Sequence, residues 1–121
     1  MAISRILVVD DSPTERFFLS ELLVKNGYLV SMAESGEEAV AQAKQTLPDL
    51  IVMDVVMPGM NGYQANRMIT KEEATKHIPV IMCTTKGQET DKVWGMRQGA
   101  RDYIVKPVNA EELLAKIKAF Y

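Results

Sequence analysis

The stretch Asp49-Leu50-Ile51-Val52-Met53-Asp54 decides how the rest of the chain reads. Four apolar residues in a row run straight into a carboxylate. A strand with one wet face alternates apolar and polar positions. A strand buried on both faces does not, and such continuous runs belong to parallel sheets covered by helices on either side. Outward from it, the pattern recurs at Ile6-Leu7-Val8-Val9 and Val80-Ile81-Met82-Cys83, with shorter runs at Tyr28-Leu29-Val30 and Tyr103-Ile104-Val105.

The segments between the runs carry helix signals. Ser12-Pro13-Thr14-Glu15 is a capping box with proline at the first helical position, and Asn26-Gly27 is the matching stop. Ser35-Gly36-Glu37-Glu38 is a second box, and Asn109-Ala110-Glu111-Glu112 resembles a third with Asn as the cap. Leu113, Leu114, Ile117, Phe120 and Tyr121 share one helical face. Gln98-Gly99 closes a helix that starts near Thr90, and a weaker helical segment lies near Tyr63 to Thr70. Five strands therefore alternate with five helices. Right-handed crossovers make the sheet parallel with helices on both faces. The fold expected is α/β, a flavodoxin-like doubly wound five-stranded parallel sheet of order 2-1-3-4-5.

Length and composition agree. The 121 residues, 47% hydrophobic and 25% charged, suit one globular domain, expected to span 1–121 with no output domain. The single cysteine, Cys83, permits no internal disulfide and is expected to be a small buried strand residue. A net charge of −2 speaks against a nucleic-acid partner. Met1-Ala2-Ile3-Ser4-Arg5 has no signal-peptide pattern, and no apolar run approaches a membrane span, so no membrane insertion and a cytoplasmic location are expected.

In such sheets the site lies at the carboxyl ends of the strands. Those ends carry Asp10 and Asp11, then Asp54, then Thr84, then Lys106 before Pro107. Taken singly, each is commonplace: an aspartate after a strand is ordinarily a turn or cap residue, and a lysine before proline is ordinarily solvated. Jointly they place three carboxylates, a hydroxyl and an ammonium in one crevice. The carboxylates repel one another, and Lys106 offsets only part of that charge. An all-oxygen set with room for water suits Mg²⁺, and there is no Cys/His cluster for zinc. His77, at the opposite end of the sheet, is expected to be a surface or structural residue. A carboxylate is a competent nucleophile towards phosphorus, and phosphoryl transfer needs chiefly positioning and charge neutralisation. Asp54, between the acidic pair and the Thr84 and Lys106 donors, is the natural acceptor.

Other classes fit less well. A flavodoxin-like cofactor binder needs a Gly-, Ser- or Thr-rich phosphate loop after the first strand, where this chain has Asp10-Asp11. An aspartate-nucleophile phosphatase needs a second Asp two residues on, and position 12 is Ser. No Gly-x-x-x-x-Gly-Lys is present for a P-loop.

These motifs, with Met57-Pro58-Gly59-Met60-Asn61-Gly62, resemble the receiver domain of bacterial two-component response regulators over essentially the whole chain. The resemblance implies that Asp54 takes a phosphoryl group from a histidine kinase. It implies that Asp11, Asp54 and the Val56 backbone carbonyl ligate Mg²⁺, with Asp10 acting mainly through water. It implies a switch in which Thr84 and then Tyr103 turn inward, read by partners on the face of the fourth helix, fifth strand and fifth helix. The other reading of Tyr103 is a partly buried strand aromatic. Such a chain is not an enzyme in the ordinary sense, but assists its own phosphorylation and dephosphorylation. Asp11 to Glu15 and Thr84 to Gly95 look more closely like the stand-alone regulators of the chemotaxis-like pathway controlling type IV pili and twitching motility. A phosphate sink for a shared kinase is the alternative role. Thr85 stands where relatives usually have a small residue, Val56 where many have a polar one, and Lys86 two residues past Thr84 is cationic. The resemblance implies that these three positions, which tune phosphate lifetime in the family, do so here. Trp94, beside Val93 and Met96, reads either as a core-flanking residue or as a partner contact.

Overall fold

The computed structural model describes residues 3–84 and 101–120. Within them run β1 (Arg5–Val9), α1 (Pro13–Lys25), β2 (Leu29–Ala33), α2 (Gly36–Thr46), β3 (Leu50–Asp54), α3 (Gly62–Lys71), β4 (Val80–Thr84), β5 (Asp102–Val105) and α4 (Ala110–Lys118). The five strands form one parallel sheet in the order β2-β1-β3-β4-β5, as expected. The helix expected over 90–98, together with Thr85, Lys86, Trp94 and Tyr121, lies outside the described residues.

Alternation along the strands sends side chains to two cores. Leu7, Val9, Ile51, Met53, Val80 and Met82 pack beneath α2 and α3. Ile6, Val8, Leu50, Val52, Ile81 and Cys83 pack beneath α1 and α4, against Leu19, Leu23, Leu113 and Ile117. Both faces of the central strands are thus dry, which is why their sequences do not alternate. Cys83 is buried as expected, and burial pushes its thiol pKa up to about 12. His77 is exposed.

The caps set the helix starts. The hydroxyls of Ser12 and Ser35 accept from the N–H groups of Glu15 at 3.3 Å and Glu38 at 3.1 Å, and Asn109 Oδ1 accepts from Glu112 at 2.9 Å. Asn26 ends α1, and Gly27 follows at a φ of +92°, a conformation that costs glycine little. The segment that reads most weakly in sequence, α3, has the complete capping box. Asn61 Oδ1 accepts from the Gln64 N–H at 2.9 Å, and Gln64 Oε1 accepts from the Asn61 N–H at 2.9 Å.

One strand departs from its apolar run. β2 runs on to Ala33, past the Tyr28–Val30 run, because an edge strand is half wet: Leu29 is exposed and Ser31 half-buried. Asp54 and Thr84 are the last residues of β3 and β4, at the strand ends where they were expected.

Candidate functional site

Register brings the strand ends together in a staircase. Val9 pairs with Met53, so the residues that follow, Asp10 and Asp54, are adjacent. Asp54 pairs with Cys83, and Thr84 with Val105, which precedes Lys106. The Lys106 N–H donates to the Thr84 carbonyl at 2.7 Å and locks that last step. The Lys106–Pro107 peptide is cis.

Asp10 and Asp54 are buried, Asp11 is exposed, and one carboxylate oxygen from each lies within 4.8 Å of the others. Lys106 Nζ bridges Asp10 Oδ2 at 3.1 Å and Asp54 Oδ1 at 3.0 Å. Three carboxylates against one ammonium leave two negative charges in excess, the charge of one divalent cation. The donor set is hard oxygen throughout, which fits Mg²⁺. Burial raises the Asp54 pKa above its ordinary value, with Asp10 and Asp11 adding repulsion, and Lys106 opposes them only in part. Burial alone would lower the pKa of Lys106. The carboxylates of Asp54 and Asp10, through hydrogen bonds and charge, hold it above its ordinary value instead.

Thr84 Oγ1 is buried and has no hydrogen-bond partner among the described residues. An unpartnered buried hydroxyl is costly, and it leaves Thr84 able to donate to an acceptor oxygen bound at the strand ends. Val56, two residues past Asp54, is 53% exposed in the β3–α3 loop. Tyr103 is apart from the acidic cluster: it lies half-buried on edge strand β5, against the α2/α3 core, with Lys116 Nζ 5.7 Å from its ring centre.

Two neighbours of the site escaped the sequence reading. Arg16 Nη1 donates to the main-chain oxygen of Asp10 at 2.7 Å. In sequence it is one cation among many on a helix. Gly62 is packed so closely that a Cβ there would lie 2.2 Å from the Asp54 carbonyl oxygen and 2.7 Å from Met82 Cε. The pair Asn61-Gly62 reads as a turn, and nothing in the sequence shows what the glycine touches.

A doubly wound sheet with this acidic crevice is the architecture of a two-component signalling receiver. Residues 6–118 match the response regulator receiver domain, and the chain belongs to that family. Among curated relatives, it is 59% identical over 116 residues to Protein PilH of Pseudomonas aeruginosa, covering 96% of each chain. It spans about half the length of several longer regulators that it also matches. Among solved structures, chemotaxis protein CheY4 of Vibrio cholerae superposes with a TM-score of 0.91 at 35% identity, over 99% of this chain and 100% of that one. The receiver domain of sensor histidine kinase PA1611 from Pseudomonas aeruginosa, whose structure has a magnesium ion coordinated in the active site cleft, superposes with a TM-score of 0.89 at 30% identity, over 98% of both chains. No helix among the described residues is long and apolar enough to cross a membrane.

Proposed function

We propose that this receiver accepts a phosphoryl group on Asp54 from a histidine kinase. The observation that carries the reading is the cluster itself: three carboxylates within 4.8 Å, bridged by Lys106. An Asp54 carboxylate oxygen bonds to phosphorus as the P–N bond of the donor phosphohistidine breaks. The electron pair stays on the imidazole nitrogen, which takes up a proton. Lys106 and the Thr84 hydroxyl receive the phosphoryl oxygens, and the ammonium leaves Asp10 and Asp54 to do so. Asp11, Asp54 and the Val56 carbonyl hold Mg²⁺, with Asp10 acting through water. When bound, the ion neutralises charge on the phosphoryl oxygens. Water later hydrolyses the acyl phosphate, at a rate tuned by Val56, Thr85 and Lys86.

Thr84 and Tyr103 convert phosphorylation into a change on the face of β5, α4 and the segment 90–98, where a protein partner docks. The chain works in the cytoplasm as a receiver, in control of type IV pilus twitching motility. Support for the last point is the near end-to-end match with PilH and the resemblance of residues 11–15 and 84–95.

Intact mass spectrometry tests the acceptor. Incubated with Mg²⁺ and acetyl phosphate, the wild type gains the mass of one phosphoryl group and Asp54→Ala gains none. An unlabelled wild type, or equal labelling of the variant, rejects the reading.

A further inference from the structure

Arg16 sits in the first turn of α1, its own N–H bonded to the Ser12 carbonyl at 3.0 Å. Its side chain is only 14% exposed. Withdrawing a guanidinium from water this far is costly unless partners replace the water. One partner is Glu34, whose Oε1 lies 3.9 Å from Nη2, but Glu34 is 71% exposed and such a pair is worth little. The other is the Asp10 main-chain oxygen, at 2.7 Å from Nη1, a short charge-assisted bond.

That bond completes the restraint of Asp10. Its N–H donates to the Ala33 carbonyl at 3.2 Å, Oδ1 accepts from the Ser12 N–H at 3.0 Å, and Oδ2 accepts from Lys106 at 3.1 Å. The Asp10 carbonyl belongs to the same rigid peptide plane as the Asp11 nitrogen. Fixing that oxygen therefore fixes the direction in which the chain delivers Asp11, the exposed member of the cluster.

We propose that Arg16 is a positioning residue of the acidic site: by gripping the Asp10 carbonyl it orients the Asp10–Asp11 peptide, and so sets how tightly the carboxylates hold a divalent cation. This rests on the Mg²⁺ reading above. Isothermal titration calorimetry with Mg²⁺ alone, on full-length protein, separates the two. A wild type that binds no Mg²⁺ overturns the metal reading and this one with it. If the wild type binds, Arg16→Ala is expected to weaken the dissociation constant about tenfold, the loss of one charge-assisted hydrogen bond. Arg16→Lys, which keeps one donor, falls between, and Glu34→Gln stays within about twofold of the wild type because its exposed pair contributes little. Arg16→Ala binding as well as the wild type, or Glu34→Gln losing as much as Arg16→Ala, overturns the proposal. Should Arg16→Ala fail to fold, Arg16→Lys decides: an unchanged constant rejects the role. Urea unfolding without Mg²⁺ gives the structural control. A merely structural arginine lowers the midpoint and leaves the binding constant of the folded variant where it was.

Discussion

Burial acts on the Asp54 carboxyl more strongly than Lys106 does, so its pKa stands above the ordinary value of 3.8. A carboxyl whose folded pKa exceeds its unfolded one binds its proton more tightly in the native state. The stability tied to that proton is present at low pH and is lost as pH rises through the folded pKa. For Lys106, raised above 10.5, the contribution is fully present below that value and is lost only at higher, strongly alkaline pH. Between pH 4 and 8, therefore, ionisation of Asp54 works against folding. Without divalent cations, Asp54→Asn should be more stable than the wild type at pH 7 by on the order of 1 kcal/mol. The gap should close as pH falls. Urea denaturation of both proteins across that range checks this, and parallel curves with a constant offset would contradict it. That Asp54, its acidic neighbours and Lys106 come together was legible in the sequence because each lies where an apolar run ends. Arg16 was not, since a main-chain carbonyl as partner leaves no trace in residue type.

The seam between β3 and α3 is the tightest point near the site. Gly62 donates its N–H to the Val55 carbonyl at 2.8 Å and leaves no room for a Cβ beside the Asp54 carbonyl. Gly62→Ala should cost about 1–3 kcal/mol by overpacking, and should slow acetyl-phosphate labelling because the strand end carrying Asp54 must move. Gly27→Ala is the useful contrast. A Cβ there meets nothing within 4 Å, so its penalty comes from the φ of +92° alone. It should cost about 1 kcal/mol and leave labelling unchanged. Equal labelling by Gly62→Ala and the wild type would show that the seam does not govern the acceptor. At this scale the apolar runs revealed the central strands because both their faces are covered. They were less informative for β2, whose place at the sheet edge leaves its pattern mixed. For α3 the Asn61–Gln64 box was the available signal.

The alternation of elements indicated a parallel sheet but not its strand order. Given the order β2-β1-β3-β4-β5, right-handed crossovers put α1 over one core and α2 and α3 over the other, while α4, which follows the last strand, joins α1 only in the fold. The site draws on β1, β3, β4 and the turn after β5. The unfolded chain therefore has no equivalent of it, and a cation that binds there binds the native state alone. Mg²⁺ at a hundredfold excess over its dissociation constant should raise the unfolding free energy by about 2.7 kcal/mol. The urea midpoint with and without Mg²⁺ measures this, and an unchanged midpoint would count against a native-only site. The bond from Lys106 to Asp10 spans 96 positions of the chain. During synthesis Asp10 is made long before the lysine that opposes its charge, and their contact waits until the last strand has been made. A copy that stops short of Lys106 thus keeps its carboxylates without that counter-charge.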